Sequence, residues 1–184
     1  MKTMNSIKRM TLAAVCVALC VVLPIAFHSI PNAGNVFLPM HIPVLICGMI
    51  CGWPYGFLCG LMGPLVSSAL TGMPPIAYLP SMMVECGVYG LVSGLMLKAV
   101  HTKSTYGDLY ISLVTAMLAG RVVSGIAKAL IFTPGMAMSA WVAASFVTAL
   151  PGIVIQLVFL PTVVFTLMKA RIIPSRYPKG ELTA

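Results

Sequence analysis

The chain has 184 residues and carries 11 lysines and arginines against 3 acidic residues, a formal net charge of +8. Hydrophobic residues make up 60% of it, charged residues only 8%, and the mean hydropathy is +1.04. A single water-soluble core of this length cannot hide that much apolar surface, so the composition excludes a soluble domain and predicts an integral membrane protein.

Six apolar segments lie between punctuating Gly, Pro and charged residues, at about 10–28, 41–51, 54–70, 76–97, 109–132 and 141–168. Most approach the roughly 20 residues needed to cross a bilayer as a helix. They predict an all-α, multi-pass protein of the cell membrane: a compact bundle of six transmembrane helices forming a single membrane domain over residues 1–184. Lys2, Lys8 and Arg9 precede the first segment, a pattern shared by signal peptides. An apolar run of about nineteen residues is long for a signal peptide, and no A-x-A-like site follows, so an uncleaved span is expected. The second segment is too short to cross alone; it either extends into its flanks or is a bent helix packed against protein.

Around this second segment and into the third, glycines recur at Gly48, Gly52, Gly56 and Gly60, and Gly90 and Gly94 repeat the spacing in the fourth. Small residues every fourth position let helix backbones approach closely in lipid. Pro54 predicts a tight turn between the second and third helices. The six cysteines lie in or beside apolar segments; Cys16/Cys20 and Cys47/Cys51 are spaced by four, which stacks them on a helix face as small packing residues. No metal site and no cofactor is implied.

Cations before the first segment, Lys98 and Lys103 after the fourth, and Lys169, Arg171, Arg176 and Lys179 after the last share one side if all six segments cross. The opposite loops carry no Lys or Arg. The positive-inside rule then makes both termini cytoplasmic. This asymmetry accounts for most of the charge, and no nucleic-acid motif is present.

Three loops fall on the outer side: Ile30–Pro43, Thr71–Pro80 and Phe132–Trp141. They either roof a cavity as lids or serve as interfacial loops anchored by Tyr78 and Trp141. Beneath them lie the intramembrane charges. Glu85 and Lys128 have similar depths and can pair, whereas Arg121 lies about 10 Å deeper than Lys128. Arg121 and Lys128 are seven residues apart, close to two helical turns, and so share a face. A charge at mid-bilayer costs several kcal/mol unless protein, water or a partner answers it. Two readings fit. Backbone carbonyls and the hydroxyls of Ser93, Ser124 and Thr148 satisfy Arg121 while Lys128 snorkels outward; or the two cations line a cavity open to the outside that receives an anionic or strongly polar ligand, with Gln156 orienting it.

An enzyme is disfavoured, because no G-x-S-x-G, H-E-x-x-H or paired-glutamate motif accompanies Glu85, His28 and His41. A channel lacks any filter-like run.

Six spans, a long outer first loop and TLAAVCVALCVVLP at 11–24 make the chain resemble the substrate-binding S-components of energy-coupling factor (ECF) vitamin transporters. FLPMHIPVLICGMICGWPYGFLCGLMGPLVSSALTGMPP at 37–75, YGLVSG at 89–94 and PGIVIQ at 151–156 extend the likeness over nearly the whole chain. The resemblance implies high-affinity capture of a vitamin or related micronutrient from outside. It implies partners as well: a transmembrane scaffold subunit that packs on an A-x-x-x-A pattern matched by Ala14 and Ala18, and two cytoplasmic ATPases that drive release as the S-component topples. No G-x-x-x-x-G-K-[ST] loop occurs in the chain itself. In such proteins the site lies in the outer half, which makes Arg121, Lys128, Glu85 and Gln156 binding candidates, with Asn32, Asn35, His41, Tyr78 and Trp141 as roof or wall. Signatures of the riboflavin, thiamine, biotin and folate branches are not seen, and the spare positive charge favours a carboxylate or phosphate-bearing ligand such as pantothenate. The alternative is a standalone membrane transporter or scaffold protein not coupled to an ECF module.

Overall fold

The computed structural model describes residues 4–27, 33–132 and 137–174. These are α-helical throughout, with no strand among them. In chain order they form α1 (Ser6–Ala26), α2 (Ala33–Phe37), α3 (His41–Cys51), α4 (Trp53–Thr71), α5 (Leu79–Ala99), α6 (Thr105–Ala127), α7 (Met138–Val142) and α8 (Leu150–Lys169). Two wider π-helical turns adjoin them: Lys128–Phe132 continues α6, and Ala143–Thr148 follows α7.

Four helical stretches are long and apolar enough to cross a membrane: Ser6–Ala26, Leu79–Ala99, Thr105–Phe132 and Leu150–Lys169. α4 has 19 residues, but prolines, glycines and serines dilute its apolar content, and it does not join the four. α3 has only 11 and is buried along most of its length, from His41 through Val44, Leu45 and Cys47 to Cys51. It is a half-length helix enclosed by protein. The segment expected as one helix over 141–168 is instead divided. Pro151 has no N–H to donate and sits in the first turn of α8, while the backbone before Leu150 widens into the π turn.

The polarity of the bundle is inverted relative to a soluble protein. On α6, Val114, Leu118, Val122 and Ile126 recur every fourth residue and are at least 42% exposed. Its opposite face buries Leu113, Met117, Gly120, Arg121 and Ser124. An apolar stripe outside and a charge inside suit a helix solvated by acyl chains. α1 shows the same division: Cys16 and Cys20 are buried, while Val15, Leu19 and Val22 face outward.

Helices α3, α4 and α5 pack backbone to backbone. A Cβ at Gly90 would collide with the backbone of Gly56, and one at Gly48 or Gly56 would collide with the Gly90 carbonyl. With no hydrophobic effect to drive helices together in lipid, dispersion across such close seams supplies the association. Gly52 joins α3 to α4 at φ 93°, a left-handed conformation open to glycine at little cost. The six cysteines are free thiols, all buried in this interior.

At one end of the bundle the Lys8 ammonium donates to the Ile172 carbonyl, bringing the start of α1 against the chain just past α8. At the other end α2 rests on α8, where a Cβ on Gly152 would lie 2.6 Å from the Val36 carbonyl oxygen. The Phe27 and Phe37 rings, 5.4 Å apart, connect the end of α1 to the same short helix.

Candidate functional site

The end covered by α2 collects the polar groups of the interior. Leu38 is held at φ 52°, an uncommon and strained conformation for a leucine. Two donors converge on its carbonyl: the His41 backbone N–H at 3.1 Å and the Gln156 amide Nε2 at 3.5 Å. This ties the start of α3 to α8. The His41 ring is 2% exposed and lies edge-on to Tyr89, with centroids 5.1 Å apart.

Glu85 stands at the centre. Its Oε1 accepts from the Tyr89 hydroxyl at 2.9 Å and lies 3.7 Å from His41 Nε2. Its Oε2 accepts from the Ser124 hydroxyl at 3.1 Å and lies 3.7 Å from the Lys128 ammonium. One carboxylate thus joins α3, α5 and α6. Lys128 opens the π-helical turn, a distortion common at functional positions in membrane and soluble helices alike.

Arg121 is 3% exposed and forms no ion pair with any described residue. Its guanidinium carbon sits 5.5 Å from the centroid of the Phe146 ring, a cation–π contact that answers the charge in part. Of the hydroxyls expected to satisfy it, Ser93 donates to the Gly90 carbonyl, Ser124 donates to Glu85 with the Arg121 carbonyl as an alternative acceptor, and Thr148 is exposed. Trp141 packs its ring on Gly125, where a Cβ would lie 2.5 Å from the indole, and meets Phe146 edge-on at 5.9 Å.

Seven buried side-chain polar atoms lack a hydrogen-bond partner among the described residues, and five of them are here: His41 Nδ1 and Nε2, Arg121 Nε, Trp141 Nε1 and Gln156 Oε1. An unsatisfied buried polar atom costs about 1–3 kcal/mol, so this concentration calls for a polar occupant.

The candidate residues therefore divide. His41, Glu85, Arg121, Lys128, Trp141 and Gln156 come together. Tyr78, at the cap before α5 and two turns before Glu85, is 67% exposed and makes no contact that joins it to them among the described residues. Asn32 and His28 lie outside the described residues, as does the side chain of Asn35 on α2. Ala14 and Ala18 are exposed on α1. Tyr89 and Phe146 were not singled out from the sequence. The spacing of Tyr89, four residues after Glu85 on one helix face, was a usable signal; nothing local marks Phe146. Two open apolar grooves, of about 340 and 320 Å³, lie on the outer flanks of α8 (Val154, Ile155, Val158, Phe159, Thr162) and α6 (Tyr110, Ile111, Val114, Thr115), away from this cluster.

The sequence model described as "ECF transporter, substrate-specific component" matches residues 8–170. The chain belongs to that family. No curated protein and no solved structure matches it. ECF substrate-specific components are membrane-embedded binding subunits that work with an ECF scaffold and ATPases, and the four apolar helices agree with a multi-pass protein of this kind. Within this substrate-specific component the polar end of the bundle is the candidate for recognition. The exposed Ala14 and Ala18 lie on a different face.

Proposed function

We propose that the Glu85, Arg121 and Gln156 cluster is the binding site of this component, which captures an anionic, vitamin-like micronutrient from outside the cell for ATP-driven uptake. All six apolar segments cross, α3 and α4 together with their flanks included, and both termini are cytoplasmic, which puts the cluster in the outer half beneath α2. The α1 face with Ala14 and Ala18 meets the transmembrane scaffold. Pantothenate, a soluble carboxylic acid, is a first candidate cargo.

The observation that carries this reading is Arg121, a buried cation on the inner face of a membrane helix with no ion pair among the described residues. A fixed charge in hydrocarbon is maintained at a cost of several kcal/mol, and function explains its retention better than packing does. The test is small-molecule mass spectrometry after gentle purification of the wild type and of Arg121→Gln. Loss of a retained compound at unchanged folded yield supports the site. Loss of folded protein with retention unchanged in the surviving fraction removes Arg121 from recognition.

A further inference from the structure

The fixed charges of the cluster set the charge of its cargo, an argument that rests on the binding role just proposed. Both oxygens of Glu85 are engaged: Tyr89 at 2.9 Å and His41 at 3.7 Å on one, Ser124 at 3.1 Å and Lys128 at 3.7 Å on the other. Tyr89 and Ser124 each donate a hydrogen bond to one oxygen, while the His41 ring and the Lys128 ammonium lie near enough for charge attraction but beyond hydrogen-bond distance. Glu85 is thus a built-in counter-ion to Lys128. Arg121 has no such counter-ion among the described residues. With histidine neutral, as in the formal charge of the chain at pH 7, the two cations and one carboxylate leave a single uncompensated positive charge.

In a medium where charges are weakly screened, one negative charge on the ligand balances that residue. A second would be carried toward Glu85 without compensation, and a cation would face Arg121.

The polar atoms add a further requirement. Leu38 offers a carbonyl, which only accepts, so the group of Gln156 that reaches it is the amide NH₂. The free atom is therefore Oε1, an acceptor on a side chain 1% exposed. Only a donor completes it. Trp141 Nε1 and Arg121 Nε are donors and call for acceptors.

We infer that the cargo is a monoanion: a small acid with one carboxylate answered by Arg121 and a separate hydroxyl or amide that donates to Gln156 Oε1. Phosphate esters, dicarboxylates and cations fall outside this class.

The experiment is calorimetric titration of the detergent-purified, ligand-stripped full chain with pantothenate, biotin, folate, thiamine and riboflavin, beside identification of whatever molecule the gently purified protein releases. The released compound is expected to carry one carboxylate and at least one hydroxyl or amide donor. Its primary amide, which lacks the charge, is expected to bind about 30-fold more weakly or worse. Gln156→Leu should weaken the acid and its amide by the same factor, because it acts on the other end of the ligand. A released or titrated ligand that is dianionic, neutral or cationic overturns the monoanion assignment and leaves capture standing. An unchanged affinity in Gln156→Leu overturns the donor assignment. If nothing is released and no member of the panel binds, the binding role itself fails.

Discussion

The Tyr89 hydroxyl donates to Glu85 Oε1 at 2.9 Å across one turn of α5, while the ring of the same tyrosine fills the space left by the absent side chain of Gly120 on α6. One residue therefore fixes both the orientation of the central carboxylate and the distance between two helices.

Tyr89→Phe separates those roles. The ring and its packing on Gly120 persist, but the buried carboxylate loses a donor. The expected cost is about 1–3 kcal/mol of stability, since an acceptor is left short in a dry site. Retention of the bound small molecule should fall as Glu85 and Lys128 lose their fixed orientation. Thermal melting in detergent reads the first effect, and mass spectrometry of the retained compound the second. An unchanged melt would mean that Glu85 is held by Ser124, His41 and Lys128 alone.

Gly90→Ala tests the helix seam. The added methyl would meet the Gly56 backbone, which has no rotamer to adopt, so α4 and α5 must separate. Overpacking of this kind costs about 1–3 kcal/mol, with the upper part of the range expected because backbone lies on both sides. Gly34→Ala is the control, because nothing lies within 4 Å of a Cβ there. Comparing the two melting temperatures checks the claim; equal shifts would refute it.

Gly125→Ala acts on the site with little effect on the seam. Its methyl would lie 2.5 Å from the Trp141 indole, which must tilt away and carry its unpartnered Nε1 with it. Ligand retention should drop with only a modest change in folded yield, because Trp141 is only half-buried. Tryptophan fluorescence should shift in parallel. Trp53, at the start of α4, contributes a constant background.

Ala14→Leu and Ala18→Leu probe the exposed face of α1. The interior-facing neighbours Cys16 and Cys20 are untouched, so folding and ligand retention should match the wild type. Co-purification with the scaffold subunit and its ATPases should be lost, since a leucine prevents close approach of another helix. Intact association with both variants would place the docking face elsewhere.

The parts of this fold legible in the sequence were those written as local pattern. Apolar runs gave the approximate positions of α1, α5 and α6, and glycines at spacing four marked where helix backbones approach closely. The short second segment was legible as a helix that could not cross alone. What pattern could not give was backbone winding. The π-helical turns at Lys128–Phe132 and Ala143–Thr148 leave hydrophobicity unchanged, so 141–168 read as one helix, and the approach of Phe146 to Arg121 could not be foreseen. Of the site, Glu85, Lys128, Arg121 and Gln156 were conspicuous because charge and amide are rare in hydrocarbon. Tyr89 was not, since a tyrosine in an apolar helix suggests packing until its spacing from Glu85 is considered.

The glycine seam has a bearing on motion. Helices α3, α4 and α5 touch largely through main chain at Gly48, Gly56, Gly90 and Gly94, with the Ser93 hydroxyl inserted beside Gly48. Such a trio behaves as one stiff plate. Relative movement of the three is costly, because main chain has no rotamers with which to relieve a clash.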